Sequence, residues 1–307
     1  MSRPKRVRAA VSVATVWTSP DSPRPLDEPA LRHPAAIMEW LGAMTIKDKL
    51  DLYGANRIQT QILYGAEAVV AEESGEWVKV FIPEQSTRKE GAGYPGWVPK
   101  RQLTEASAEA AADRWAEVSA PRAQLVLRSP KAEVELSFLT RLPVIEETND
   151  GVVVDTPHGT GFLPKEQVRI VGSPAYSGAE EEEHAGQQLV RQGMRFIGLP
   201  YLWGGMSSFG YDCSGFAYSM HKSQGILIPR DASDQAVQGR MVKRDCLEPG
   251  DLLFFAYEEG KGRVHHVGIY AGENRMLHSP DSEGCIELVE LDGYKLAKEH
   301  CISKRYL

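Results

Sequence analysis

Short runs of alternating apolar and polar residues fill the first half of this 307-residue chain, cut by glycine, proline and an Asn-Asp-Gly turn. Period-two alternation between turn residues predicts β-strands, among them residues 11–17, 75–82 and 150–155. Three landmarks recur in the same order. Trp17-Thr18-Ser19-Pro20 is answered by Leu127-Arg128-Ser129-Pro130, and the run at 75–82 by the run at 150–155. Gly96-Trp97-Val98-Pro99-Lys100-Arg101-Gln102-Leu103 is answered by Gly161-Phe162-Leu163-Pro164-Lys165-Glu166-Gln167-Val168. Two copies of one small β-unit are implied, each expected to close into a barrel with Trp97 or Phe162 in its core.

Helical spacing enters at three places. Ile37, Leu41 and Met44 recur at i, i+4 and i+7, which predicts an amphipathic helix over residues 34–52 inserted in the first copy. The Ala- and Glu-rich stretch 104–118 predicts a connecting helix, closed by Pro121. Gly172-Ser173-Pro174 and four glutamates at 180–183 mark a linker that runs into an acidic helix start. That helix is expected to bury Val190, Met194 and Ile197. Beyond it the pattern is α+β: a helix after Cys213, then strands at 251–257, 265–271, 276–279 and 285–291. The expected domains are 1–104, a helical connector 105–120, 121–173 and 180–307.

A formal charge of −7 argues against nucleic acid as partner, since a binder of phosphate chains carries a basic face. It also offers no attraction to anionic membranes. No run approaches the ~20 apolar residues of a spanning helix. The basic start is followed by an alternating run and not by the apolar core of a signal peptide. With Met1 as the native start, a cytoplasmic protein is expected, and a monomer. The four cysteines, Cys213, Cys246, Cys285 and Cys301, show no Cys-x-x-Cys spacing, so neither a disulfide framework nor a zinc site is suggested. No metal and no cofactor are expected.

One constellation carries chemistry. A nucleophilic cysteine needs a lowered thiol pKa, a base, and a group that orients the base. Tyr201-Leu202-Trp203-Gly204-Gly205 leads into Asp212-Cys213-Ser214-Gly215-Phe216. Glycine before and helical character after place Cys213 at a helix N-terminus, where free N–H groups favour thiolate and could hold an oxyanion. In His265-His266-Val267-Gly268-Ile269-Tyr270 strand parity sets Val267 and Ile269 on one face and His266, Gly268 and Tyr270 on the other. Across the turn at 271–274, a hairpin register that sets His278 opposite His266 lets the second imidazole orient the first. His265 has the opposite parity and reads as structural.

These four motifs together resemble the NlpC-type family of papain-like cysteine peptidases, over about residues 185–307. The resemblance implies Cys213 as nucleophile, His266 as base, His278 as orienter, and Tyr201 with its hydroxyl at the centre. With two bacterial SH3-like barrels in front, the whole chain resembles the γ-D-glutamyl-L-diamino-acid endopeptidases, which cleave murein peptides bearing a free N-terminal L-Ala. That likeness implies substrate contacts from Tyr94 at the amine, with Gln59 or Glu67 as its partner, and from Trp203, Asp212, Ser214, Arg230, Asp231 and Ser233. Arg230 is a sensible carboxylate partner because guanidinium bonds in bidentate fashion. Here Ala232 follows the Arg-Asp pair where the family has serine.

Taken singly, Cys213 reads as a packing thiol and His266 as a half-buried strand histidine; four motifs in order favour catalysis. Two other readings share these residues. One is a related peptidase or acyl transferase on intact peptidoglycan, and the other a wall-binding protein without activity.

Overall fold

The computed structural model describes residues 4–106, 112–129, 131–172 and 182–307, with side chains of the last stretch from Ala185. The chain is mixed α+β and divides into two compact units. The first comprises residues 1–83, 92–175 and 207–209, the second 84–91, 176–206 and 210–307.

The first unit holds two seven-stranded antiparallel sheets. The first sheet contains β1 (Arg6–Ala9), β2 (Val13–Trp17), β3 (Ile58–Leu63), β4 (Glu67–Ser74), β5 (Trp77–Ile82), β6 (Tyr94–Pro99) and β7 (Leu103–Glu105). The second contains β8 (Arg114–Val118), β9 (Arg122–Arg128), β10 (Lys131–Ser137), β11 (Arg141–Glu147), β12 (Gly151–Thr156), β13 (Gly159–Pro164) and β14 (Val168–Gly172). Their strand orders are β3-β2-β6-β5-β4-β1-β7 and β10-β9-β13-β12-β11-β8-β14. Subtracting seven from each label of the second gives the first, so the recurring landmarks do mark one topology used twice. Pro99 and Pro164 end β6 and β13, and a 3₁₀ turn follows each, at Lys100–Gln102 and Lys165–Gln167. The outermost strands of each order are paired on one side, so the described ladders are open sheets and not the closed barrels expected.

Alternation sets the inner faces. Tyr94, Gly96 and Val98 point inward on β6, and Gly161 and Leu163 on β13, which leaves Trp97 and Phe162 half-buried on the opposite side. Their expected place in the core is thus taken by their neighbours, as the two-residue period requires. Val16, Ile62, Val80 and Val98 pack the first core; Leu125, Leu136, Val154 and Leu163 pack the second.

The insertion lies between β2 and β3 and carries α1 (Glu28–Leu31), α2 (Ile37–Ala43) and α3 (Ile46–Gly54). The single helix expected over 34–52 is broken at Met44, whose backbone is extended. Thr45 caps α3, its hydroxyl accepting from the Asp48 N–H while the Asp48 carboxylate accepts from the Thr45 N–H. A reciprocal cap of this kind starts a new helix even within a continuous apolar pattern. The connector helix expected over 104–118 is also corrected: 103–105 and 114–118 are strands β7 and β8, and 107–111 lie outside the described residues. Helix propensity there yields to the ladder of β8 with β11 and β14, which buries Ala116, Glu117 and Val118. Residues 173–181 of the expected linker are likewise outside the described set.

The second unit contains α4 (Glu182–Met194), the short hairpin of β15 (Met206–Ser207) and β16 (Gly210–Tyr211), α5 (Cys213–Ser223), α6 (Ala232–Gln235) and β17 (Arg240–Val242). There follow β18 (Leu252–Ala256), α7 (Tyr257–Gly260), β19 (Val264–Gly272), β20 (Arg275–His278), β21 (Glu287–Glu290) and β22 (His300–Arg305). The sheet runs β17-β22-β18-β19-β20-β21. All four strands predicted here are present, while β22, the last element of the chain, lies in the sheet between β17 and β18. On α4 the buried residues are Ala185, Gly186, Leu189 and Gly193, and Met194 and Ile197 are exposed, opposite to expectation. Close approach decides the face: a Cβ on Gly193 would lie 2.7 Å from Leu277 Cδ2, and one on Gly186 would overlap Pro249 O. No helix among the described residues is long and apolar enough to cross a membrane.

Candidate active site

Cys213 is the first residue of α5, as the glycine-rich approach implies. Asp212 is its N-cap, extended in backbone (φ −85°, ψ 177°), and its Oδ1 accepts from the Gly215 N–H at 2.7 Å. Oδ1 also accepts from Ser214 Oγ (3.1 Å), and Oδ2 from the Gly204 N–H (3.0 Å). Gly215 carries no Cβ because one there would collide with Gly205 O. The Gly204-Gly205 loop therefore closes directly onto the first turn of the helix and fixes where the sulfur lies.

Arg230 completes this support. It is 1% exposed, and its Nη2 and Nη1 reach Asp212 Oδ2 and Oδ1 at 2.7 and 3.1 Å, with Nη1 also 2.9 Å from Ser214 Oγ. The structure gives Arg230 Nη atoms to Asp212 and Ser214 and buries the side chain. Asp231 pairs with Lys89 at 2.9 Å, and Ser233 Oγ donates to Asp234 Oδ1 at 3.4 Å. Residues 84–91 belong to this unit: the Arg230 N–H donates to Ser86 O, and Arg88 Nε meets Asp234 Oδ1 at 2.7 Å. Sequence reading did not find this segment, because nothing in its composition signals where it docks.

The candidate base lies on the sheet. His266 on β19 and His278 on β20 are both buried, with His266 Nε2 2.8 Å from His278 Nδ1 and the rings nearly perpendicular at 81°. The register expected for this contact is corrected. β19 and β20 pair Ile269 with Leu277 and Tyr270 with Met276, a slip of two residues that leaves Gly268 opposite His278. A slip of two preserves the face, so His278 reaches His266 on the diagonal. Gly268 makes that reach possible: a Cβ there would overlap Met276 Sδ and sit 3.3 Å from His278 Cβ. His265 turns away, its Nε2 2.8 Å from Glu299 Oε2 and its ring stacked on Tyr257 at 4.1 Å.

Helix and strand meet at the sulfur. The backbone N–H groups of Val267, next to His266, and of Ser214 act on the Cys213 thiol to favour thiolate, as does the Arg230 charge. Burial outweighs them, and with the Asp212 charge it pushes the thiol up to about 12. Desolvation, which penalises the charged form, thus works against the thiolate that the helix N-terminus favours. Burial first, then His278, His265 and Lys295, holds His266 well below its usual value. Burial also takes His278 down to about 3. Burial thus favours the neutral form of the thiol and of both imidazoles. Tyr201 is buried, and burial raises it well above its usual value.

The remaining expected residues are described within their own units. Trp203 is half-buried on the loop before Cys213. Tyr94 belongs to the first unit, 2% exposed in its core with Val80 and Val98. Gln59 donates to Thr18 Oγ1 at 2.7 Å, and Glu67 pairs with Arg6 at 2.9 Å. Sequence reading passed over Glu287 and Tyr294. Glu287 lies opposite His278 in the β20–β21 ladder, and Tyr294 OH donates to its Oε1 at 3.2 Å. Strand parity around His278 is the only sequence signal for the first; the second sits in a loop and has none. Among the described residues no cluster of three or more His, Cys, Asp or Glu side chains is arranged to hold a metal ion.

Comparison with known proteins extends over the whole chain. Residues 198–305 match the NlpC/P60 family and residues 118–170 the YKFC SH3b2 domain. The chain is 44% identical to the gamma-D-glutamyl-L-lysine dipeptidyl-peptidase of Bacillus subtilis (strain 168), over 96% of each protein. It is 39% identical to the protein of the same name from Bacillus cereus (strain ATCC 10987 / NRS 248), over 97% of this chain and 90% of that one. The crystal structure of an NlpC/P60 family protein from Bacillus cereus ATCC 10987 superposes with a TM-score of 0.94 at 38% identity, covering 98% of this chain and 99% of the other.

Proposed function

This chain belongs to the NlpC/P60 family of cysteine peptidases, and on that footing we propose that it hydrolyses the γ-D-glutamyl–L-diamino-acid bond of murein peptides with a free N-terminal L-Ala. The observation that carries the reading is the full-length likeness to two gamma-D-glutamyl-L-lysine dipeptidyl-peptidases. Release of a dipeptide from the amino end fits a substrate already cut from the wall, and so peptide recycling. The two N-terminal β-units act as SH3-like modules in this reading.

In the proposed mechanism Cys213 Sγ attacks the γ-carbonyl of D-glutamate as its proton passes to the free nitrogen of His266. Formation of the thiolate only as the bond forms suits a pair whose neutral form burial favours. The carbonyl electrons move to an oxyanion, for which the Cys213 N–H at the helix start and the Tyr201 O–H are the proposed donors; one such donor is worth about 3–4 kcal/mol. His266 then gives its proton to the departing amine of the diamino acid, leaving a thioester. Water, deprotonated by His266, hydrolyses the thioester and restores the thiol. Asp212, locked by Arg230, holds the helix start. Trp203, Ser214, Asp231 and Ser233 are the proposed contacts around the D-glutamate, and Tyr94 the proposed contact at the amine.

The test uses the full chain and mass spectrometry of L-Ala-γ-D-Glu-L-Lys, its meso-diaminopimelate counterpart, and the N-acetylated form of each. Release of L-Ala-D-Glu from the free tripeptides, and at least about 100-fold slower release from the acetylated ones, is expected if a buried amine contact selects the substrate. Equal turnover of blocked and free peptides would overturn the free-amine requirement. Cys213→Ala should lower turnover about 10⁴-fold or more with unchanged circular dichroism; retained turnover would remove the nucleophile.

A further inference from the structure

We propose that Glu287 is the outer positioning residue of this centre: across the β20–β21 ladder its carboxylate keeps the His278 proton on Nε2, which fixes the tautomer of His266. The inference rests on Cys213 and His266 acting as nucleophile and base.

The geometry is a line of groups from the sheet edge inward. Glu287 is directly opposite His278 on β21, the edge strand. Its Oε1 lies 3.3 Å from His278 Nε2. That nitrogen is fully buried and makes no aligned hydrogen bond among the described residues. Tyr294 holds the carboxylate from the other side, its OH donating to the same Oε1 at 3.2 Å while its ring meets His278 edge-on at 5.3 Å. The Glu287 side chain is 42% exposed, so it has the freedom to turn onto the Nε2–H direction.

Proton counting does the rest. A carboxylate only accepts, so the nitrogen that faces it carries the hydrogen. A neutral imidazole has one N–H, and burial keeps His278 neutral. With Nε2 protonated, His278 Nδ1 is a lone pair and accepts at 2.8 Å from His266 Nε2. His266 therefore carries its one hydrogen on Nε2, and its Nδ1 is bare and ready for the Cys213 proton. Move the His278 proton to Nδ1 and the order reverses: His266 must accept at Nε2 and carry its hydrogen on Nδ1, where it is no longer a base for the thiol. The other charged or titratable groups acting on the pair are His265 and Lys295 on His266, and Lys295 and Asp281 on His278. Lys295 is tied to Asp281 at 2.8 Å, so neither replaces a carboxylate at Nε2.

The experiment reads ring tautomers directly, in full-length protein labelled with ¹⁵N-histidine, without substrate, at pH 7.5. The expected wild-type result is Nε2–H on both His266 and His278. Glu287→Ala should give mixed tautomers on both rings. Glu287→Gln, whose amide oxygen accepts the same hydrogen bond, should keep the wild-type pattern, and Tyr294→Phe should fall between. In turnover, Glu287→Ala should lose about 10–100-fold in kcat with KM within about twofold. Glu287→Gln should lose little, with the acid limb of kcat/KM displaced to lower pH, because the charge that favours imidazolium is gone. Wild-type tautomers in Glu287→Ala, or an unchanged kcat, would overturn the proposal. Altered tautomers in a chain that cleaves no murein peptide would leave it standing and remove the proposed function instead.

Discussion

Among the described residues of the first unit, the fully buried charged side chains are carboxylates among hydrogen-bond donors. Asp27 accepts from Arg24 Nη2 (2.9 Å) and Trp40 Nε1 (2.8 Å), and Glu117 from Arg141 Nε (2.6 Å) and Arg169 Nε (2.7 Å). The second unit contains such pairs too, Asp212 with Arg230 and Asp251 with Arg305. Beside them it buries Cys213, His221, His266 and His278, of which His278 faces the half-exposed Glu287 carboxylate, and burial holds each toward its neutral form. The contrast teaches what each arrangement is for. A buried carboxylate among donors stays charged and fixes a piece of backbone. A buried thiol or imidazole gives up its charge and becomes able to pass a proton, which is the property catalysis uses.

The contrast is broken most severely at His266. His266→Gln keeps a polar side chain near Cys213 but cannot take its proton, and kcat should fall about 10²–10⁴-fold; single-turnover release of dipeptide measures it, and near-normal turnover would mean another base. Next comes Arg230→Met, which leaves Asp212 charged, buried and unmatched. It should cost about 3–5 kcal/mol in urea unfolding. Glu117→Gln in the first unit should cost less, because the amide oxygen still accepts from Arg141 while Arg169, 48% exposed, can turn to water. Equal losses would mean that exposure of the partner does not matter.

Acid should then separate the two kinds of buried group. The folded protein holds His221 down to about 4 and His278 to about 3, against 6.5 for a free imidazole. Between those values the unfolded chain binds the proton and the folded one does not, so stability is whole above about pH 6.5 and declines as pH falls through that window. His221 alone accounts for about 3 kcal/mol between pH 6.5 and 4. His221→Phe should flatten the pH dependence of unfolding by that amount, and an unaltered slope would contradict it. The smallest effect is in the insertion: Thr45→Ala removes the cap of α3 and should cost about 1 kcal/mol by thermal unfolding, with activity unchanged.

Legibility followed the range of the interaction. The repeat of β-units was readable because Gly96 to Leu103 and Gly161 to Val168 carry the same turn and the same alternation, and turns are local. The 104–118 stretch misled because Ala and Glu favour helix only when nothing else claims the backbone, and the ladder to β11 and β14 does. On α4, apolar size pointed to Met194 and Ile197, whereas closeness of approach selected Gly186 and Gly193. The hairpin placing His278 was read two residues out of register, and its contact with His266 survived because a slip of two keeps the face.

From residues alone came the family, the candidate nucleophile, the two histidines and the duplicated β-unit, because each rests on a short motif or a period that the backbone must obey. Tertiary packing alone decided that Arg230 serves Asp212, that the Cys213 thiol is buried, and that Glu287 meets His278. Those depend on desolvation and on which side chains meet across the sheet, and both are set by contacts between segments far apart in the chain.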